Sequence, residues 1–147
     1  MKAKILLQIC DDGGQIMKNW YVSKRMETWY VSKRMEIAIG HNLDLPYESK
    51  CMRYHGHNLL VTVHCKSNKL TSYGMVVDFA KVKKEIHGYL DHGYINELIP
   101  GMNPTAENLA KWICNKVTEI CEVGYCYKVE VQESEGNIAI YERDEDQ

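Results

Sequence analysis

Four segments of the chain alternate between apolar and polar residues, which is the period-2 pattern of a β-strand with one buried face. In the second, for example, Leu59, Val61 and Val63 share one face. The alternation therefore predicts four strands, Trp29 to Ile39, Asn58 to Lys66, Tyr127 to Glu133 and Asn137 to Arg143.

Two segments between the second and third strands carry apolar residues at helical spacing. Asp78 and Thr105 stand before them as candidate N-caps. The apolar stripes are Phe79, Val82, Ile86 and Leu90 in the first, and Leu109, Trp112, Ile113, Val117 and Ile120 in the second. The order ββααββ predicts an α+β domain, with two helices on one face of a four-stranded antiparallel sheet. Such a sheet has open edges, and pairing edges between subunits is one way to cover them.

An exact repeat precedes the first strand: the octet Trp20 to Glu27 recurs from Trp29 to Glu36. The nine-residue offset is odd, so equivalent residues of the two copies face opposite sides of one continuous strand. Only one copy fits a single core, and the second runs unbroken into His41. We therefore predict an N-terminal extension over residues 1–28 and a folded domain over 29–147.

Composition narrows the possible partners. The 147 residues carry 45% hydrophobic and 26% charged residues with a net charge of −2, which indicates one globular domain without a basic footprint for nucleic acid. The apolar run from Ile5 to Cys10 is too short for a signal or membrane segment. We expect no membrane partner and a cytoplasmic location, where the six cysteines stay reduced.

The most informative stretch is CMRYHGH, from Cys51 to His57. Residues two apart in an extended segment point the same way, so His55 and His57 can reach one metal ion. His41 ends the first strand and is the expected third ligand. Three histidines with an open fourth position predict a catalytic zinc site. The alternative is a set of surface histidines, since an H-x-H pair alone is weakly specific.

Four further residues are candidates for acid–base or binding chemistry. Cys51 would be a base if a nearby cation favours its thiolate, or else a small buried hydrophobe. Asp91 and His92 follow the first helix, where they can serve a site or merely complement the helix dipole. Glu133 ends a strand, where its carboxylate can accept two parallel N–H donors or be solvated. No role is expected for His64, His87 or the other cysteines.

Taken in order, the strand ending in His41, CMRYHGHN, YGMVVDFAKVKK with LDHGYIN, and PTAENLAKWI with VEVQES resemble the family of 6-pyruvoyl-tetrahydropterin and 6-carboxytetrahydropterin synthases. The resemblance implies the tunnelling fold, subunits joined as a trimer or a dimer of trimers, and active sites between subunits. Gly40 departs from the family, which usually has alanine before the first zinc histidine.

The same resemblance implies a role for each candidate residue. His41, His55 and His57 match zinc ligands, Cys51 the catalytic base, and Asp91 with His92 the partners in proton transfer. Two acids match the pterin pocket: Glu133 anchors the pterin ring, and Glu107 lies near it.

The spacing C-x-x-x-H-G-H is similar to that of the bacterial branch of the family. That branch converts 7,8-dihydroneopterin triphosphate to 6-carboxytetrahydropterin in queuosine synthesis. Two alternatives stay open, a 6-pyruvoyl-tetrahydropterin synthase and a non-catalytic homologue that binds zinc or pterin. Lys50 and Arg53 would attract the triphosphate or be solvated surface charges.

Overall fold

The computed structural model describes residues 27–144, which form one sheet with helices packed on it. The strands are β1 (Trp29–His41), β2 (His55–Ser67), β3 (Gly93–Tyr94), β4 (Tyr125–Ser134) and β5 (Asn137–Glu142). Their order across the sheet is β3-β1-β2-β4-β5. All neighbours are antiparallel except β3, which runs parallel to β1.

Strand β1 begins at Trp29, so the second copy of the octet forms the first strand, as predicted. It pairs with β2 without a register break, from Trp29 opposite Ser67 to His41 opposite His55. The first copy, apart from Glu27, lies outside the described residues. The N-terminal extension therefore stays a prediction, as does the boundary at residue 29.

Both expected helices are present, and both N-caps are confirmed. Helix α1 has three consecutive segments, the α-helical Phe79–Val82, the π-helical Lys83–His87 and the α-helical Gly88–Leu90. Helix α2 is the single turn Ile95–Leu98, and α3 is Ala106–Ile120. A 3-10 turn, Lys50–Met52, lies in the loop between β1 and β2. Within residues 27–144, no helix is long and apolar enough to span a bilayer.

The core lies between the helices and one face of the sheet. Ile37, Val61 and Val131 from three strands and Ile86 and Ile113 from two helices have no exposed surface. Burying an aliphatic side chain of this size contributes about 1.5–3 kcal/mol. The predicted inward faces are confirmed for β1, β2 and β4, whereas β5 has no buried residue and its Ile138 and Ile140 are 54% and 58% exposed. Phe79 is the exception in the helical stripes, because it is 41% exposed at the start of α1.

The sequence pattern predicted no helix or strand between α1 and the helix that begins at Ala106. This stretch contains β3 and α2, so the sheet has five strands rather than four. Two residues are too few to show alternation, which is why the pattern did not reveal β3. A side chain at Gly93 would place its Cβ 2.9 Å from the Leu90 carbonyl oxygen, so glycine permits this tight return to the edge of β1.

Candidate active site

Strand register brings the three predicted metal ligands together. His41 lies directly opposite His55, and His57 lies opposite Ile39, next to them on the same face. Alternation places all three rings on the core side of the sheet, at its end. The ring centroids are 4.5 Å apart for His41 and His55, 5.2 Å for His41 and His57, and 5.0 Å for His55 and His57.

Two backbone carbonyls determine which nitrogen carries the hydrogen in the neutral His41 and His55 rings. Nδ1 of His41 lies 2.9 Å from the Pro104 oxygen, and Nδ1 of His55 lies 2.7 Å from the Arg53 oxygen. A carbonyl only accepts, so each Nδ1 carries the hydrogen and each Nε2 of a neutral ring presents a lone pair. These two Nε2 atoms are 3.1 Å apart. Two lone pairs at that distance need a cation or a proton between them.

The third ring has an unsatisfied nitrogen. Nε2 of His57 is buried, and among the described residues it forms no hydrogen bond. It lies 3.4 Å from Oε1 of Glu133. One ring nitrogen from each histidine lies within 4.8 Å of the others. Nitrogen atoms bound tetrahedrally to zinc at about 2.0–2.1 Å are separated by about 3.3 Å, so the donor set fits this metal.

Burial prepares His41 to be a ligand. The ring is 3% exposed, and desolvation lowers the pKa of His41 despite the hydrogen bond to Pro104. A neutral imidazole is the form that binds metal, and a carbonyl on its second nitrogen orients the ring. Desolvation therefore favours the neutral, metal-binding form of His41.

Asp91 and His92 form a hydrogen-bonded pair, although adjacent side chains rarely bond to each other. His92 has a φ of 57°, and this left-handed backbone turns its ring back towards Asp91. The distance from His92 Nδ1 to Asp91 Oδ2 is 2.9 Å, and Asp91 Oδ1 accepts the Ala38 N–H at 2.9 Å. The Ala38 N–H and then His92 lower the pKa of Asp91, which is therefore a carboxylate at neutral pH.

This pair lies at the same end of β1 as the histidines. The backbone N–H of His92 donates to the Ala38 oxygen at 2.7 Å, three residues before His41. The His92 side chain is 82% exposed, so its Nε2 is open to a substrate or to another subunit. No role was predicted for His87, but its Nε2 lies 3.8 Å from Asp91 Oδ2.

Within residues 27–144, the remaining predicted residues form no side-chain hydrogen bond with the histidines. Cys51 is half-buried in the 3-10 turn, and its carbonyl accepts the N–H of Leu43, two residues beyond His41, at 2.8 Å. Glu107 is exposed in the first turn of α3 and, within residues 27–144, forms no ion pair or hydrogen bond through its side chain. Lys50 and Arg53 are exposed. The roles of all four stay predictions.

Sequence reasoning missed the backbone groups that orient the site. The carbonyls of Pro104 and Arg53 hold two ligand rings, and the N–H of Ala38 holds Asp91. Every residue except proline has both groups, so residue type carries no signal for them. The one sequence clue to the Arg53 carbonyl was its position, since Arg53 lies between the candidate residues Cys51 and His55.

Comparison with known proteins finds that this chain is similar to pterin synthases. A family model described as 6-pyruvoyl tetrahydropterin synthase matches residues 30–144. The 6-carboxy-5,6,7,8-tetrahydropterin synthase of Synechocystis sp. is 35% identical over 103 residues, which span 65% of this chain and 79% of that protein. Human 6-pyruvoyl tetrahydrobiopterin synthase is 36% identical over 96 residues, 59% of this chain and 65% of that one.

A solved structure shows the same fold. The Caenorhabditis elegans 6-pyruvoyl tetrahydropterin synthase superimposes with a TM-score of 0.66 at 25% identity. The match covers 82% of this chain and 99% of that one. The predicted tunnelling fold is confirmed.

Proposed function

The chain belongs to the 6-pyruvoyl tetrahydropterin synthase family, and we propose that it is a zinc-dependent 6-carboxy-5,6,7,8-tetrahydropterin synthase. The reaction would convert 7,8-dihydroneopterin triphosphate and water to 6-carboxytetrahydropterin, acetaldehyde and triphosphate, a carbon–carbon lyase step. The observation that carries the proposal is the pair of Nε2 lone pairs, on His41 and His55, facing each other at 3.1 Å. The short C-x-x-x-H-G-H spacing and the Synechocystis relative favour the carboxy product.

Zinc held by His41, His55 and His57 would supply Lewis acidity towards the hydroxyls of the substrate side chain. Glu133 would bind the edge of the pterin ring through paired N–H donors. Its Oε1 lies 3.4 Å from His57, so this acid would hold the ring beside the metal ligands. The substrate side chain would then lie at the histidines.

Proton transfer would be shared between Cys51 and His92. Cys51 would remove a side-chain proton as a thiolate, which a neighbouring cation favours. The Asp91 carboxylate accepts Nδ1–H of His92, so the exposed Nε2 of a neutral ring has a free lone pair. That Nε2 can take up a proton, and the Asp91 charge stabilises the resulting imidazolium. His92 would therefore relay protons between substrate and solvent.

The test is incubation of the zinc-loaded protein with 7,8-dihydroneopterin triphosphate, followed by mass spectrometry of pterins and trapped aldehydes. We expect 6-carboxytetrahydropterin and acetaldehyde in equal amounts. A zinc-replete protein that leaves the substrate intact would overturn the proposal and favour the non-catalytic homologue.

A second candidate is 6-pyruvoyl-tetrahydropterin synthase, which eliminates triphosphate without loss of carbon. It is supported by the human relative, whose 36% identity matches that of the Synechocystis protein. A pyruvoyl pterin without acetaldehyde in the same experiment would establish it.

We also propose a homo-oligomer, a trimer or a dimer of trimers, that acts in the cytoplasm in queuosine synthesis. Among the described strands, β5 has a partner on one side only, which leaves an edge for pairing with another subunit. Light scattering coupled to size-exclusion chromatography would measure the mass, and a monomer would contradict the assembly.

A further inference from the structure

The face of the sheet opposite the three histidines carries a second arrangement of residues. Gly40 on β1 lies opposite Gly56 on β2 and beside Tyr94 on β3. These positions alternate with the histidine positions and therefore face the other side of the sheet. The ring of Tyr54 lies over this glycine floor, although Tyr54 is 71% exposed.

Contact distances show how closely the ring lies on Gly40. A Cβ built on Gly40 would meet Oη of Tyr54, and it would lie 2.7 Å from Cζ and 2.8 Å from Cε2. Gly40 is not among the glycines with positive φ, so its backbone does not require glycine. A methyl group at this position would instead require the Tyr54 ring to move.

Tyr94 forms the wall beside this floor. The Tyr54 and Tyr94 rings meet edge to face with centroids 5.4 Å apart, an arrangement that stabilises aromatic pairs. The Tyr94 hydroxyl donates to Oδ1 of Asn42. The Tyr54 ring is thus bounded from below by Gly40 and from one side by Tyr94.

Tyr54 lies next to the carbonyl group that orients His55. Tyr54 lies between Arg53, whose carbonyl holds Nδ1 of His55, and His55 itself. Strand β2 begins at His55, so the sheet ladder does not hold the Arg53–Tyr54 peptide. On its other side, the Arg53 N–H donates to the Lys50 oxygen at 3.0 Å. The ring of Tyr54, which lies against Gly40, is a further contact that can hold this peptide.

We propose that Tyr54 is a positioning residue for the metal ligand His55, and that Gly40 is glycine in order to seat its ring. The inference rests on the proposed metal site but not on which pterin is made. An alanine methyl at position 40 would displace the tyrosine.

A double-mutant cycle on metal affinity tests this inference. Zinc dissociation constants would be measured by competition with a chromophoric chelator, and the ligand geometry by the visible spectrum of the Co²⁺-loaded protein. We expect Tyr54→Ala and Gly40→Ala each to weaken zinc binding about 10-fold, the range for residues that orient a ligand. The double variant should bind no more weakly than Tyr54→Ala, because the methyl then meets no ring.

Two controls separate positioning from general stability. Tyr54→Phe keeps the ring and should keep wild-type affinity. Tyr47→Ala removes another exposed tyrosine of the same loop and should have no effect on zinc. Thermal unfolding of each metal-free variant reports on stability alone.

Three outcomes would overturn the inference. In the first, the single effects multiply to about 100-fold in the double variant, which would show independent sites. In the second, the unfolding temperature falls while the zinc constant and Co²⁺ spectrum stay unchanged. In the third, the wild-type protein binds no metal, which would also remove the zinc from the proposed function. The first two leave the proposed function standing.

Discussion

The two ends of the β1–β2–β4 sheet carry two clusters of metal-binding residue types on the same core face. At one end are the three histidines. At the other, Cys65 lies opposite Cys126 across β2 and β4, and Cys114 from α3 and Cys121, the C-cap of that helix, lie beside them. Alternation placed the histidines and Cys65, whereas Cys126 reaches the same face through the register shift between His64 and Cys65.

The clusters differ in whether their polar atoms are satisfied. The Cys114 thiol donates to the Cys126 oxygen at 3.1 Å, and the Cys121 thiol donates to the Val117 oxygen at 3.2 Å. The side-chain hydrogen bond to Cys126 and burial raise the pKa of Cys114, so that thiol stays protonated. Within residues 27–144, no three of these sulfurs converge as the histidine nitrogens do. Unmatched lone pairs, rather than residue type, distinguish a binding site from a core.

The largest effect on zinc binding is expected from removing one ligand. His55→Ala should weaken zinc binding by more than about 100-fold, beyond the usual effect of residues that only orient a ligand. Metal content after dialysis measures it. His64→Ala is the matched control, since His64 lies on the opposite face of the same strand. If His55→Ala still bound one zinc ion per chain, the histidines would not be needed as ligands, and the proposed difference in metal binding between the two clusters would be wrong.

A cysteine outside the thiol cluster should matter for turnover only. Cys51→Ala should lower kcat by about 10³-fold or more, within the range for general acid–base catalysis, while zinc content stays at the wild-type level. Steady-state kinetics and metal analysis check the two halves of this statement. An active, zinc-replete variant would remove Cys51 from its proposed role, and Cys121→Ser serves as the control thiol.

A third change affects the acid–base pair beside the histidines. Asp91→Asn keeps an oxygen for the Ala38 N–H but turns an amide N–H towards Nδ1 of His92, which favours the wrong tautomer. We expect kcat to fall about 100-fold with little change in zinc affinity. The exposed Glu119→Gln is the matched loss of one carboxylate and should keep wild-type kcat. Equal rates for Asp91→Asn and wild type would contradict the relay.

The smallest effect is expected at the thiol end. Cys114→Ala removes one buried atom from the core and should lower the free energy of unfolding by about 1–2 kcal/mol. Denaturant titration of the metal-free protein measures this loss, with the exposed Asn115→Ala as the surface control. Zinc affinity should not change. A weaker zinc site in Cys114→Ala would show that the two ends are coupled.

The sequence predicted these regions unequally. Alternation located the four long strands, and residue type located both N-caps, because periodicity and capping depend on neighbours in the chain. Periodicity missed β3 and α2, whose two and four residues are too short to show a period. It also placed Phe79 in the core stripe, although N-terminal position in α1 leaves that ring exposed.

Within the site, residue type and spacing identified the histidines, Asp91, His92 and Glu133 as candidates. Adjacent residues were not expected to share a hydrogen bond, yet Asp91 and His92 do. The reason is the left-handed backbone of His92, which no pattern of residue types indicated.

By itself, the sequence determined which residues can bind a metal and which side of each strand they occupy, because both follow from side-chain chemistry and a period of two. Only the tertiary structure decided that His41 lies opposite His55, and that carbonyls from two loops direct their Nε2 atoms at each other. Those contacts join segments far apart in the chain. For the doubled octet, the sequence alone was sufficient: the two copies are identical, and the second is the one that runs into His41 as β1.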